Sequence, residues 1–370
     1  MSTRPPVKRP RAVGRRVLSS LFSIAVIVLT VALIPQLTSA DLGSAAALIT
    51  VSAVIVTQLL GLIHLLANWW VTTITLPGLS MPQAGVVGLS GAVVSNTFPS
   101  GGAVATGLTY AIDHSWGFPI DAVTASIVTN GLFGQLVRYG VLAVALVVFG
   151  VLEQPSWQLI LFAVIVAALV AGVAVILILV VRSEHFAERF GRLTTRVINM
   201  PLTRFHRRAV NAVPAVMSFR VKLSNLVAGR WRLLTGATLV SQLTSVLILG
   251  VALRLMGISQ HDVGWAQIIV ALEGAAIAAT FIPTPGGLGV TEASLMAILS
   301  YGVPSSQDNA ILAAILLYRG ATWLQSTVLG LPAYLTWRYR RSWRQPDPEP
   351  RKTDGFAYPN STARAHDPDG

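Results

Sequence analysis

The sequence predicts an all-α, polytopic integral membrane protein with about 6–8 transmembrane helices and two re-entrant, broken-helix elements arranged as inverted repeats. Three observations support this fold class: the composition, a repeated break in the apolar pattern, and the distribution of positive charge. Of the 370 residues, 53% are hydrophobic and only 11% are charged, whereas a soluble domain carries about 25% charged residues. This composition excludes an ordinary soluble domain.

The stretch Thr280–Gly289, with the sequence T-F-I-P-T-P-G-G-L-G, cannot continue a helix. Pro283 and Pro285 lack a backbone donor, and Gly286 and Gly287 tolerate unusual dihedral angles. The apolar runs on either side are each shorter than the about 20 residues of a membrane span. Broken backbone at membrane depth is tolerated only where it is buried in protein or lines a wet cavity. The stretch therefore predicts a binding site, and the alternative is an ordinary loop between two spans.

The same pattern occurs earlier in the chain. Gly91–Gly102 (G-A-V-V-S-N-T-F-P-S-G-G) corresponds to Gly274–Gly287 (G-A-A-I-A-A-T-F-I-P-T-P-G-G). Further matches keep the same order, and one of them pairs Arg138 with Arg319. Four matches in one order predict an internal repeat rather than a coincidence.

Positive charge sets the predicted topology. Lys and Arg collect at the N-terminus, in a central segment and after the last apolar run, and such clusters favour the cytoplasmic side. Both termini and the central segment are therefore predicted to be cytoplasmic. Re-entrant pairs satisfy this parity and give the repeats opposite orientation, as in many transporters. A model in which the second pair crosses fully satisfies the parity equally well.

Several apolar runs are predicted to be single spans. They are Val17–Pro35, Leu42–Ala67, Trp157–Val181 and Ala310–Trp337. Between the last two, the central segment has Phe186, Phe190, Leu193 and Val197 at helical spacing, with arginines off that face. This pattern predicts an amphipathic helix at the cytoplasmic membrane surface.

Four charged residues lie within apolar runs, where a central charge costs about 2.5–3.5 kcal/mol on insertion scales. They are Arg138, Glu273, Glu292 and Arg319. Glu292 falls in the predicted first turn of a half-helix, where the helix dipole favours a carboxylate. A guanidinium is the natural bidentate partner of phosphate, so both arginines are predicted to attract an anionic head group. The alternative is that the arginines pair with the two glutamates and only fix the helices, and the two interpretations can hold together.

The remaining candidate substrate-binding residues lie in the two breaks, where polar side chains and free backbone donors could hold an anion. They are Ser95, Asn96, Thr97, Pro99, Gly101 and Gly102 in the first break, and Thr280, Pro283, Pro285, Gly286 and Gly287 in the second.

No metal, cofactor or nucleic acid is predicted as a ligand. The chain has no cysteine, which excludes thiol catalysis and cysteine–metal sites. His64 stands alone in an apolar helix and is predicted to be a core or interfacial residue rather than a metal ligand. The net charge of +12 lies in segments that flank apolar runs, which favours membrane lipids over nucleic acid as partners.

The motifs Ser95–Gly102 and Pro283–Gly289, followed by Glu292 and by Leu317-Tyr318-Arg319, resemble the flippase-like membrane domain of lysylphosphatidylglycerol synthases. The resemblance covers roughly residues 17–339. It implies movement of lipids or lipid-linked head groups between leaflets. In the two-part members a soluble aminoacyl-transferase domain follows, whereas here about thirty residues follow Trp337. The synthase half is therefore expected to be absent, and the chain is not expected to be an enzyme.

The resemblance and the charge pattern together give the predicted organisation. It comprises a basic cytoplasmic N-terminus (1–16), a flippase-like transmembrane domain (17–339) with repeats at about 50–149 and 235–336 and a basic amphipathic segment at 182–232, and a disordered cytoplasmic tail (340–370).

The predicted function is translocation of an anionic phospholipid or lipid-linked head group across the bacterial inner membrane. No ATP-binding motif G-x-x-x-x-G-K-[ST] is present, so transport without ATP hydrolysis by this chain is expected. A separate lipid or glycan transferase is an expected partner. The alternative is an integral-membrane enzyme or accessory subunit in polyprenyl-phosphate-linked glycan metabolism.

Overall fold

The computed structural model is all-helical in the residues it describes, as the sequence predicts. The described residues are 42–98, 101–152, 182–204, 213–281 and 284–343, with parts of 172–180. In chain order the α-helices are α1 (Leu42–Leu48), α2 (Val51–Thr75), α3 (Met81–Thr97), α4 (Gly101–Ser115), α5 (Ile120–Leu152), α6 (Glu184–Arg204), α7 (Val213–Leu255), α8 (Trp265–Phe281), α9 (Val290–Leu299), α10 (Asp308–Arg319) and α11 (Gln325–Tyr339). The predicted span Val17–Pro35, most of Trp157–Val181 and nearly all of the tail lie outside the described residues.

Three of these helices are long and apolar enough to cross a membrane. They are α2, the segment Ile120–Val148 of α5, and the segment Arg230–Leu255 of α7. A helix rises about 1.5 Å per residue, so each exceeds the roughly 30 Å hydrocarbon core. The polytopic membrane character agrees with the prediction, while the number of crossings and the opposite orientation of the repeats stay predictions.

Two runs that were predicted as single spans contain an irregularity in the structure. The run from Leu42 breaks after α1, because Thr50 adopts an extended conformation and its side chain accepts a hydrogen bond from the Ala53 amide, capping α2. The run from Ala310 passes from α10 into α11 through a π-helical turn at Gly320–Leu324. Such turns are rare and occur often at functional sites. The run from Leu42 is therefore broken between α1 and α2, whereas the run from Ala310 stays helical throughout.

Each broken element is a pair of short helices packed against each other, α3 with α4 and α8 with α9. The four helices contain 17, 15, 17 and 10 residues, fewer than the about 20 that a span requires. Phe98 ends α3 in an extended conformation. In the second element Gly286, Gly287 and Gly289 have positive φ values of 57°, 69° and 80°, which favour glycine. The predicted breaks are confirmed, and their re-entrant placement in the membrane stays a prediction.

Helices of the first predicted repeat pack directly against helices of the second. Helix α2 lies along α7, α3 packs on α11, and α5 packs on α8. Glycines allow the closest approaches: a Cβ added to Gly330 would lie 2.5 Å from the Leu89 carbonyl oxygen, and one added to Gly61 would lie 2.6 Å from the Ala321 carbonyl oxygen. The helix that follows each broken element therefore supports the other broken element.

Helix α6 confirms that the central segment contains a helix, and it packs along α7. Of its described positions, Ala187 and Gly191 are buried. At Gly191 the helices are so close that an added Cβ would lie 2.9 Å from the Val213 Cα. Phe186 and Phe190 are half-buried beside this line, and Leu193 is exposed. The side chain of Val197 lies outside the described residues, and the placement of α6 at a membrane surface stays a prediction.

Candidate substrate site

Arg319 and Glu292 form a buried ion pair at the second break. The Arg319 Nε lies 2.6 Å from the Glu292 Oε1, and each side chain keeps 12% of its surface accessible. The other Glu292 oxygen accepts a hydrogen bond of 2.7 Å from the Gly289 amide, as expected for a glutamate in the first turn of a helix. The Arg319 Nη2 donates to the Gly286 carbonyl oxygen at 2.9 Å. The pair therefore fastens α10 to α9 and to the glycine turn.

The two breaks approach each other beside this pair. A Cβ added to Gly286 would clash with the Trp323 indole nitrogen and lie 3.2 Å from the Asn96 Cα. The Asn96 amide nitrogen donates to the Thr327 hydroxyl at 2.8 Å. Trp323 also carries the Arg319 guanidinium over its ring, with 5.5 Å from Cζ to the ring centroid. The π-helical turn thus brings Trp323 between the tips of α3 and the glycine turn.

Arg138 and Glu273 form a second ion pair that joins the two repeats. The Arg138 Nε on α5 lies 3.0 Å from the Glu273 Oε2 on α8. The Glu273 side chain is only 7% accessible, whereas that of Arg138 is 35% accessible. The Gln242 side-chain nitrogen lies 3.5 Å from the other Glu273 oxygen. Both arginines thus pair with the glutamates, as one of the two interpretations predicted, and only one of them remains substantially accessible.

Arg138 lines a half-open cavity of about 740 Å³ between α2, α3, α5, α7, the π-helical turn and α11. This volume is in the range of small-molecule sites, about 300–1,000 Å³. Amide, hydroxyl and imidazole groups line it with the arginine: His64, Asn68, Asn130, Gln135, Ser241 and Gln242. A polar cavity among apolar helices is suited to holding a charged or hydroxylated group away from lipid tails.

His64 is part of this cavity wall. Its Nδ1 lies 3.0 Å from both the Ser241 carbonyl oxygen and the Thr244 hydroxyl, and its Nε2 lies 3.1 Å from the Asn68 amide nitrogen. A neutral ring fits these contacts, with Nδ1 donating to Ser241 and Nε2 accepting from Asn68. In the part of the chain that the structure describes, no three His, Cys, Asp or Glu residues come together as a metal would require.

The other residues predicted for the site occupy the break regions rather than the cavity. The Thr97 and Thr280 hydroxyls donate to the carbonyl oxygens of Val93 and Ala276 in their own helices. Gly101 lies against the backbone of Ser95, whereas Gly102 faces open space. Pro285 begins the glycine turn. Pro99 and Pro283 lie outside the described residues.

The amide side chains that line the cavity were not among the predicted site residues. Asn130 and Gln135 interrupt an apolar run and precede Arg138 on the same helix. Gln242 lies in V-S-Q-L (Val240–Leu243), which matches V-T-Q-L (Val56–Leu59) in the first repeat. Polar residues within predicted spans usually face the protein interior, so these interruptions were the available signal. Their convergence with α2 and α7 depends on tertiary packing.

In a comparison with protein families, residues 16–330 match the lysylphosphatidylglycerol synthase TM region. The chain belongs to this family. The match spans both broken elements and all of the residues that form the two ion pairs. Comparisons with curated proteins and with solved structures return no significant match. Membership of the lysylphosphatidylglycerol synthase TM family implies a lipid-related function in a membrane.

Proposed function

We propose that this protein translocates an anionic phospholipid or a lipid-linked head group between the leaflets of the bacterial cytoplasmic membrane, without hydrolysing ATP itself. Family membership supports the lipid-related part of this proposal. The observation that carries the rest is Arg138, a cation on a membrane-length helix that lines a polar cavity. A charge within a span is costly, so its presence there favours a functional role.

In the proposed mechanism the substrate phosphate binds the accessible part of Arg138. The Arg138 Nε is buried against Glu273, so the accessible surface belongs to the rest of the side chain. A phosphate on the guanidinium competes with the carboxylate for the same charge. Weakening the pair loosens the contact of α5 with α8 and allows the second broken element to move. Binding is in this way coupled to rearrangement.

The proposal includes a topology and a setting. Both broken elements are re-entrant and oppositely oriented, both termini are cytoplasmic, and the cavity lies near the bilayer midplane, where inverted-repeat transporters bind substrate. The protein acts on membrane lipids without catalysing a reaction. A separate lipid or glycan transferase makes or consumes the translocated lipid.

A leaflet-resolved assay in reconstituted vesicles tests the proposal. Vesicles carry NBD-labelled phosphatidylglycerol, and dithionite quenches only the outer leaflet. We expect vesicles with the protein to lose nearly all fluorescence, whereas protein-free vesicles lose about half because label is in both leaflets. Arg138→Gln with Glu273→Gln removes the cation without leaving the 7% accessible Glu273 unpaired, and it should slow the loss. Arg232→Gln, which removes an exposed arginine outside the cavity, should not. Lipid exchange no faster than in protein-free vesicles would overturn the proposal.

A further inference from the structure

The charges that line the cavity restrict what it can bind. Among the described residues that line it, Arg138 is the one charged side chain and none is a carboxylate. Glu273, the ion-pair partner of Arg138, is only 7% accessible and does not line the cavity. The contacts of His64 fit a neutral ring. A cationic head group would lose its hydration there without gaining a counter-charge, which is strongly unfavourable. A single phosphate competes with Glu273 for one guanidinium, whereas a diphosphate would bring still more negative charge beside that carboxylate.

A second residue of the cavity wall, Asn130, favours a ligand whose head group can donate a hydrogen bond. The Asn130 side-chain oxygen is buried and receives no hydrogen bond from the residues that the structure describes. Leaving a buried acceptor unsatisfied costs about 1–3 kcal/mol. An ionised phosphate has only acceptors to offer it, whereas a hydroxyl can donate. The amides of Asn68 and Gln135 are exposed and lie in the same cavity, so they can bind further hydroxyls.

The spacing of these groups fits one small head group. Asn130 and Arg138 are eight residues apart on α5, a rise of roughly 12 Å along the helix axis. Long helical side chains lean toward the N-terminus of their helix, so the Arg138 side chain shortens this separation. Both residues line the same cavity of about 740 Å³, so one head group that bears a phosphate and a hydroxyl can contact both.

We propose that the cavity binds a single phosphodiester whose head group carries hydroxyls, such as glycerol or a sugar, in preference to one that carries an amine. The phosphate binds Arg138, and a head-group hydroxyl donates to the Asn130 oxygen once that side chain turns into the cavity that the residue lines. This assignment rests on the proposed function, since it names the substrate class of the same site. It makes Asn130 a specificity-determining residue.

Native mass spectrometry of the purified full-length protein in detergent tests the assignment by measuring lipid retention. Four lipids with identical acyl chains serve as probes: phosphatidylglycerol, phosphatidylmethanol, phosphatidylethanolamine and lysylphosphatidylglycerol. Phosphatidylmethanol is the matched control, because it has the same phosphodiester charge and no hydroxyl. We expect phosphatidylglycerol to be retained best. Its preference over phosphatidylmethanol should be a few-fold, about tenfold at most, because one net hydrogen bond contributes about 0.5–1.5 kcal/mol.

Two variants separate the two contacts. Asn130→Leu should abolish the preference for phosphatidylglycerol and leave retention of phosphatidylmethanol unchanged. Arg138→Gln with Glu273→Gln should weaken retention of both lipids, and Arg232→Gln should change neither. If Asn130→Leu lowers the melting temperature, Asn130→Ala provides a smaller replacement with the same expected loss of preference.

Two results would overturn the assignment: equal retention of phosphatidylglycerol and phosphatidylmethanol by the unmodified protein, or tighter retention of lysylphosphatidylglycerol. Comparison with the vesicle assay separates the two proposals. A hydroxyl preference without lipid exchange refutes translocation and leaves the head-group assignment intact. Lipid exchange without a hydroxyl preference refutes the assignment alone.

Discussion

Arg319 and Arg138 occupy corresponding positions in the two predicted repeats, yet their surroundings differ. The Arg319–Glu292 pair is closed: both side chains are 12% accessible, and the arginine also donates to the Gly286 carbonyl oxygen. The Arg138–Glu273 pair is open on one side, with 35% of the arginine side chain accessible. The same residue type thus acts as a fastening in one half of the molecule and faces a cavity in the other.

The difference follows from the partner helices. Glu292 lies on α9, directly after the glycine turn that Arg319 also contacts, so a short local structure encloses the pair. Glu273 lies on α8 and meets Arg138 across the interface of the repeats, beside the cavity. A buried charge depends on its partner far more than an accessible one, because water cannot replace the lost contact. We therefore expect Arg319 to determine stability and Arg138 to determine binding.

The largest expected effect tests the closed pair. Arg319→Gln leaves Glu292 buried without its counter-charge, which should lower the free energy of unfolding by about 3–5 kcal/mol. The measurement is the melting temperature in detergent. Arg319→Gln with Glu292→Gln removes both charges and should recover much of the loss. An unchanged melting temperature for the single variant would show that this pair does not fasten the glycine turn.

The second prediction compares neutral double variants of the two pairs. Arg138→Gln with Glu273→Gln should lower the retention of phosphatidylglycerol about 10- to 100-fold, because a hydrogen bond to a charged group contributes about 1.5–3 kcal/mol. The double variant of the closed pair should retain the lipid as the unmodified protein does. Retention is measured by native mass spectrometry. The opposite result would exchange the roles of the two arginines.

Much of the second break could be predicted from sequence. Pro285, Gly286 and Gly287 cannot continue a helix, and Glu292 follows where a first-turn carboxylate is favourable. The four charged residues within apolar runs could also be identified from sequence, because each interrupts an apolar run. Local chemistry was sufficient for these features.

Which arginine remains accessible could not be predicted, because it depends on packing between distant helices. Arg138 faces a cavity because α2 and α7 place His64 and Gln242 beside α5. The π-helical turn that places Trp323 beside Gly286 is likewise a tertiary feature, since its sequence reads as an ordinary apolar helix. An apolar pattern predicts that a helix forms, but it does not show whether one turn of that helix is α-helical or π-helical.

The third prediction tests the glycine turn that encloses the closed pair. Gly286→Ala should destabilise the protein by about 1–2 kcal/mol from the left-handed conformation alone, and the added Cβ must also displace Trp323. Gly102→Ala is the matched control, because its Cβ would meet open space within a helix. The control should keep or slightly raise the melting temperature. Equal melting temperatures for both variants would argue against a tightly packed turn.

The smallest expected effect concerns Asn96, which was predicted to bind substrate and lies on the closed side. Its amide nitrogen donates to the Thr327 hydroxyl at 2.8 Å and holds the end of α3 against α11. Asn96→Ala should therefore lower the free energy of unfolding by about 1 kcal/mol. Thr97→Ala is the control, since that exposed hydroxyl donates only to its own helix, and it should change stability by less than about 0.5 kcal/mol.

Lipid retention shows whether Asn96 has a structural role, like Arg319, or binds substrate, like Arg138. If Asn96 helps to fasten the two breaks, Asn96→Ala lowers the melting temperature and leaves retention of phosphatidylglycerol unchanged. If it binds substrate, as the sequence predicts, retention falls and the melting temperature stays. A fall in retention would extend the binding region from the cavity to the tips of the broken elements. The closed pair would then border the substrate path, and Arg319 would become its second cation.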